Sequence, residues 1–417
     1  MHGKNLSTAH KQMYLSYVMG LIRNGLLITK RNFLEDILLF SFFFTSYFVF
    51  SSIIPKYIVS SSDDSQIIQA SVNFIIAATL IISSYLVDRI NKLGLIRTSS
   101  VVTIFMTVLL FYPNNALRTA ILFVLGVLFS LGIGSFIAHF WKMTVPEERG
   151  RISGLIGFVA LPFSFIVASL VGPSLDFLGT ITLGIITNLA ILIIILLKPK
   201  REGVTAKGED RNYPERRTVL LYSIPWVLFS LINVTLAKNA SVWITQQVPS
   251  SFYLFLLGLQ FVGVIFGCIL GGTVADFLGR RPCLAISLTS YGTSAALVAL
   301  FTSNEILSFV YLLNGLSWGV LFTLYIFVIW GDLANKDNCA RMYSIGLTIY
   351  YLSGGVGFLT QISVPIVTSS LATCLLVFLL NIPIALAPEL LSPYFRERIK
   401  MRLHINAVKK MGKQSKN

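Results

Sequence analysis

The amino-acid sequence predicts an all-α polytopic membrane protein, with twelve transmembrane helices in two pseudo-symmetric six-helix bundles. Three observations predict it. Hydrophobic residues make up 55% of the 417-residue chain and charged residues only 12%, about half the charged share of roughly 25% in soluble domains. A soluble surface cannot cover that much apolar side chain. The apolar residues also fall in runs of roughly 20, the length that crosses a bilayer as a helix. Finally, the basic residues collect in alternate loops between those runs. The runs are long and do not alternate in polarity, which favours helices over barrel strands.

The elements follow in order. Residues 1–35 form an N-terminal segment with five basic residues. Within it, Met13–Ile28 is interrupted by Arg23 and Asn24 and reads as a short interfacial helix or an irregular lead-in; no cleavable signal peptide is expected. The first bundle spans 36–197, with helices near 36–57, 67–87, 94–112, 117–139, 152–173 and 177–197. A charged, proline-containing loop at 198–218 divides the chain. The second bundle spans 219–388, with helices near 219–238, 250–275, 282–301, 306–330, 343–364 and 368–388. A basic tail fills 389–417.

Orientation follows from lysine and arginine placement. With the N-terminus inside the cell, 30 of the 33 basic residues lie on the inside; the exceptions are Lys56, Arg118 and Lys238. One missed helix would scramble this pattern, so it also checks the count. Both termini are expected in the cytoplasm, in a multi-pass protein of the cell membrane. The formal charge of +15 sits in loops and tails rather than on a basic stripe, so no nucleic-acid partner is expected. Cys268, Cys283, Cys339 and Cys374 have no close pair spacing, which argues against a zinc or redox site.

The two halves repeat. Asp88 follows the second span and Asp276 the eighth, 188 residues apart; Arg151 and Arg341, in the next inside loops, are 190 apart. Matching offsets at corresponding loops argue for duplication, and two six-helix sets facing a cleft suit alternating access. The run Gly272-Thr-Val-Ala-Asp276-Phe-Leu-Gly279-Arg280-Arg281 resembles the loop signature G-x-x-x-D-R-x-G-R-R of the major facilitator superfamily, with Phe277 where a basic residue is usual. In the first half Asp88, Arg89 and Lys92 fit the pattern, while Ser84 and Asn91 replace its glycines. Span count, central loop and paired motifs extend the resemblance over about residues 30–390. It is closest in motif to sugar and metabolite porters.

The chemistry of the motif is readable. Gly272 lets two helices approach. Asp276 at a helix end caps backbone N–H groups or pairs with an arginine. Gly279 permits a tight turn. Arg280 and Arg281 hold a neighbouring helix end or lipid phosphate. Together with Asp88, Arg89, Arg151 and Arg341 these residues read as a cytoplasmic gate; the plainer alternative is a basic loop that only fixes topology. No acidic or basic residue lies securely in the middle of a span, which favours a neutral or weakly charged solute. The candidate cavity residues are Asn73, Asn233, Gln260 and Asn314, with Tyr47 and Trp318 as aromatic faces; Gln361 and Asn381 are further mid-span amides. The resemblance implies that spans 7, 8 and 10 line the cavity, which favours Asn233, Gln260 and Asn314. Any of these residues could instead tie helices together. His139, at the end of span 4, reads as an interfacial anchor.

Two departures from the family pattern bear on function. Leu128 stands where many proton-coupled members carry an arginine, which leaves facilitated diffusion open. Gly172 and Pro173 match a glycine-rich pattern of drug antiporters, but its paired glycines are missing. The resemblance therefore implies uptake of a small neutral or weakly charged organic solute, with a proton-driven efflux antiporter for amphipathic compounds as the alternative. A non-transporting sensor would need an added domain. An intramembrane enzyme would need a catalytic cluster, which histidines at 2, 10, 139 and 404 do not form. No cofactor and no metal are expected. A proton is the candidate coupling ion, with Asp36 as its candidate group, and a functional monomer is expected.

Overall fold

The computed structural model describes residues 28–58, 62–167, 175–197, 215–301, 303–360 and 365–391. The expected interfacial helix, most of the central loop and nearly all of the tail lie outside these residues, as do Gly172, Pro173 and Gln361.

Among the described residues, twelve helical rods follow one another. They are α1 (Lys30–Phe48), α2 (Ser62–Arg89), α3 (Lys92–Leu109), α4 (Asn115–Met143), α5 (Pro146–Ile166) and α6 (Phe177–Leu196), then α7 (Arg216–Gln247), α8 (Ser250–Leu278), α9 (Arg280–Leu300), α10 (Asn304–Leu333), α11 (Cys339–Leu359) and α12 (Ile366–Leu386). Eleven are long and apolar enough to cross a membrane. The other, α11, is a 21-residue helix made less apolar by Arg341, three tyrosines and four glycines. The chain is thus an all-α, multi-pass membrane protein.

Helix ends differ from the hydropathy reading where charge is buried. α5 starts at Pro146, six residues before the expected 152, with proline in its first turn and Glu147 and Glu148 behind it. Proline and acidic residues are natural at a helix start. Hydropathy missed this turn because Arg149 and Arg151 belong to it. α7 runs past the expected 238 to Gln247; its polar end, KNASVWITQQ, dilutes the apolar signal. Lys238 therefore lies inside a helix rather than at its tip. α10 continues to Leu333, and α11 covers Cys339–Leu359 rather than 343–364.

Three rods contain wide π-helical turns: Val49–Ile53 continuing α1, Asn233–Ala237 in α7, and Leu324–Val328 in α10. The first two are 184 residues apart, close to the motif offset, so the repeat extends to backbone geometry.

Glycines set the closest helix contacts. On α8, Gly263, Gly267 and Gly271 face the backbone of Leu312, Leu316 and Val320 on α10. On α10, Gly315 and Gly319 face the carbonyls of Gln260 and Val264. Small residues four apart let two parallel helices touch backbone to backbone, where lipid offers no hydrophobic drive.

The halves meet along two helix pairs, α2 with α11 and α5 with α8. Between them runs an aromatic seam. Phe40 and Phe140 lie edge-on to Phe327, at 4.9 and 5.5 Å between centroids; Phe44 meets Phe322 at 6.0 Å and Tyr47 meets Tyr351 at 5.2 Å. Edge-to-face pairs of this kind add roughly 0.5–1.5 kcal/mol each beyond area burial.

Candidate functional site

The charged loops converge at one end of the molecule, where the two halves exchange contacts. Asp276, at the end of α8, accepts hydrogen bonds from the backbone N–H of Gly150 (3.1 Å) and Arg151 (2.9 Å) at the start of α5, and from Arg151 Nε (3.2 Å). Asp88, at the end of α2, accepts from the N–H of Ala340 (2.8 Å) and Arg341 (3.3 Å) at the start of α11, and from Arg341 Nε (3.1 Å). Each carboxylate caps a helix of the opposite half, where the N-terminal N–H groups and helix dipole favour negative charge. Each arginine also lies over an aromatic ring. Arg151 is 5.8 Å from Phe277 and Arg341 is 5.5 Å from Tyr85. The ring at Phe277 thus holds the guanidinium from the other half.

The second-half contact is the more elaborate. Arg280 donates to Asp276 (2.6 Å), to Asp332 (2.8 Å) and to the carbonyl of Pro146 (2.7 Å). Arg149 also pairs with Asp332. Three arginines and two aspartates therefore form one chain, with every side chain 2% exposed or less. Burial of this kind is tolerable only when each charge is paired and hydrogen-bonded. Gly150 and Gly272 make the approach physically possible. A side chain on Gly272 would meet the Gly150 carbonyl oxygen, and one on Gly150 would meet Asp276 and the Gly272 carbonyl.

Gly279 has φ +116°, a left-handed conformation that favours glycine. A Cβ there would also strike Glu389. Glu389, just beyond α12, accepts from the N–H of Arg280 (2.8 Å) and Arg281 (3.1 Å). In the first half Asn91 takes the turn position and caps α3 through the N–H of Leu93 (3.2 Å). Arg281 reaches the carbonyls of Ala385 and Ala387. Arg89 is exposed and stands outside the network. Arg149, Asp332 and Glu389 join the site without belonging to the motif. Asp332 was legible only as an acid at the end of an apolar run, and Glu389 as a lone acid ahead of a basic tail.

A second site lies among helices of the second half. A cavity of about 290 Å³ is lined by α7, α8, α9, α10 and α12, with every lining residue between 233 and 373. Asn233, Gln260 and Asn314 all face it. They also bond locally: Gln260 Nε2 donates to Asn314 Oδ1 (2.9 Å), and Asn233 Oδ1 accepts from the Tyr291 hydroxyl (2.6 Å). The wide turn of α7 supplies Asn233 and Ala237 to the wall; such turns recur at functional sites. Lys238, Tyr291, Ser294, Tyr311, Ser370 and Thr373 complete the polar lining. Hydroxyls scattered over three helices carry no sequence signal.

The remaining cavity candidates lie elsewhere. Tyr47 donates to Asn73 Oδ1 (2.8 Å), and Asn73 Nδ2 donates to the Gln69 carbonyl (2.8 Å). This pair sits in the aromatic seam with Tyr351, apart from the three amides. Trp318 stacks on Phe322 at 5.7 Å in the same seam. Asp36 is fully buried on α1, one turn before Phe40. Among the described residues, no three His, Cys, Asp or Glu side chains gather as metal ligands.

The fold has known relatives. A bacterial homologue of the iron transporter ferroportin, in an outward-facing state, superposes with a TM-score of 0.67 at 13% identity, covering 86% of this chain and all of its own. The human organic anion transporter MFSD10 gives 0.66 at 12%, covering 86% of this chain and 98% of that one. The E. coli fucose:proton symporter FucP gives 0.63 at 14%, covering 85% and 98%. At these identities the likeness is one of fold. No curated protein sequence matches the chain significantly. The sequence model described as Major Facilitator Superfamily matches residues 37–358, more than three quarters of the chain, and these residues hold both exchanged carboxylates and the three cavity amides. The chain belongs to the Major Facilitator Superfamily, whose members are carriers of small solutes by alternating access and not enzymes.

Proposed function

We propose that this carrier takes up a small neutral or weakly charged organic solute, and that the exchanged Asp–Arg contacts lock the state in which the charged end is closed. The observation that carries the reading is the exchange itself. Asp276 with Arg151, and Asp88 with Arg341, are bonds that must break for the halves to part at this end. The placement of basic residues supports a cytoplasmic position for that end; the locked form then faces outward, the state in which the ferroportin homologue was crystallised. The polar cavity is the proposed solute site. At about 290 Å³ it lies at the lower edge of the roughly 300–1,000 Å³ usual for ligand pockets, which suits a small solute. The carrier acts as a monomer in the cell membrane. Asp36 is the proposed proton-binding group, and similarity to the fucose:proton symporter FucP supports symport.

The deciding experiment is a solute screen in proteoliposomes, with and without a pH gradient. Accumulation driven by inward proton flow is the expected result. Equilibration without accumulation under either gradient would make the protein a uniporter. The aromatic seam favours one competing reading, efflux of amphipathic compounds, and outward movement of hydrophobic cations against inward proton flow would establish it.

Two further results are expected. Tags at both termini and within residues 198–218 should stay shielded from an impermeant reagent on intact cells; outside labelling of the central segment would reverse the orientation. Asn314→Ala should raise the apparent KM about 5- to 150-fold, the effect of leaving one hydrogen-bonding group unpaired in a closed cavity. An unchanged KM at matched protein amounts would place Asn314 in helix packing alone.

A further inference from the structure

We propose that the second-half cavity binds a small hydroxylated organic monoanion, a hydroxy-carboxylate, with Lys238 in its wall holding the charge and Ser370 meeting a hydroxyl. This rests on the reading above that the cavity is the solute site, and it names the class that the site takes.

The lining holds one charge. Lys238 is the sole ionisable acid or base among the wall residues, apart from the phenols of Tyr291 and Tyr311; the wall contains no carboxylate. Its Nζ donates to the Gly357 carbonyl at 2.6 Å, one of the last carbonyls of α11, where a cation is favoured. An ammonium has three donors, so two remain. Among the described residues Lys238 enters no ion pair. An exposed cation in the wall of such a cavity, with no ion-pair partner among the described residues, attracts an anion from solution.

The uncommitted groups in the wall define the rest of the solute. Ser370, a lining residue, is 2% exposed, and its buried hydroxyl has no hydrogen-bond partner among the described residues. An unmade hydrogen bond at a buried hydroxyl is costly, and a ligand hydroxyl in the cavity makes it. Asn233 uses its oxygen on Tyr291, which leaves its amide N–H groups to donate. Gln260 uses its nitrogen on Asn314, which leaves its carbonyl oxygen to accept. The site thus offers an ammonium and amide donors toward a carboxylate, with an acceptor and a hydroxyl beyond them. A neutral polyol would leave the ammonium without a counter-charge. A dianion would bring one charge too many for a single lysine.

The test is equilibrium binding to the purified full-length protein in nanodiscs, using lactate, glycerate and gluconate beside lactamide, the uncharged isostere of lactate. Binding of at least one carboxylate, with lactamide roughly 10- to 150-fold weaker, is expected from loss of a charged hydrogen bond. Lys238→Gln should erase that preference and Lys238→Arg should keep most of it. Ser370→Ala should weaken the hydroxy-carboxylate several-fold and leave propionate, which has no hydroxyl, unchanged. Thermal unfolding of each variant separates a folding defect from lost binding. If Lys238→Gln lowers the melting temperature but leaves the carboxylate preference intact, the lysine is a clamp on the end of α11 only and the proposal falls. Equal binding of lactate and lactamide, or binding of none of the three carboxylates, also overturns it. Uptake of a neutral solute that is indifferent to Lys238→Gln would sink this assignment while leaving the wider transport reading in place.

Discussion

Asp276→Asn is expected to open the charged end of the molecule. The asparagine keeps an oxygen for the N–H groups of Gly150 and Arg151, but it removes the negative charge that Arg151 and Arg280 share at this contact. Removing one partner of a buried ion pair costs about 3–5 kcal/mol. Here the cost falls on the locked state, because parting of the halves lets water reach these arginines. A shift of that size changes the closed-to-open ratio by roughly two to four orders of magnitude. A native reporter sits beside the sister contact: Cys339 is fully buried and its Sγ lies 3.5 Å from Asp88. In a protein whose other three cysteines are replaced by serine or alanine, Asp276→Asn should speed maleimide labelling of Cys339 about 100-fold or more and slow transport. Labelling at the wild-type rate would mean that these pairs do not hold the end shut.

A large steric effect on the contact between the halves is expected at Gly272. Valine there puts its side chain into the Gly150 carbonyl oxygen, backbone against backbone, where no rotamer can relieve the clash. The two helices come from opposite halves, so the strain is relieved by separating them. Gly272→Val should therefore leave the protein in the membrane, speed Cys339 labelling at least as much as Asp276→Asn, and reduce transport below a tenth. Gly258→Val on the same helix is the control, since a side chain there meets nothing within 4 Å. Equal behaviour of the two variants would refute a role for the close approach.

Much of this arrangement was legible in the sequence because it is written in polarity. The twelve rods, the loop positions of Asp88 and Asp276 and the distant arginines Arg151 and Arg341 all follow from apolar runs broken by charge. What polarity hides is charge that has been buried. Arg149, Arg151 and Asp332 lie within helices, and a hydropathy reading ends a helix where such residues begin. That is why α5 starts six residues early and α10 ends three residues late. The cavity was half legible. Six mid-span amides stood out in apolar surroundings and the family resemblance favoured Asn233, Gln260 and Asn314, but Ser294, Ser370 and Thr373 look like ordinary small residues until the helices are packed. Tyr47, Asn73 and Trp318 share the composition of a binding surface and belong to the seam between halves. Which helix faces which neighbour is a property of packing, and a single sequence does not carry it.

The exchange of carboxylates between halves also constrains how such a chain arose. Residue by residue, 88 touches 340 and 341 while 276 touches 150 and 151. Without the link at 198–214, the same rules would join two copies of one six-helix chain, with site i on the first meeting site j on the second and the reverse. That is the self-complementary contact of a two-fold symmetric homodimer. An unduplicated ancestor of this protein would have worked as such a pair, each subunit capping the other. Fusion then freed one copy of each contact to diverge. The Asp276 side gained Asp332, with Lys142 at the corresponding first-half position, while the Asp88 side kept the simple pair. The two halves expressed as separate chains from one cell would keep both partners of the Asp88–Arg341 and Asp276–Arg151 contacts.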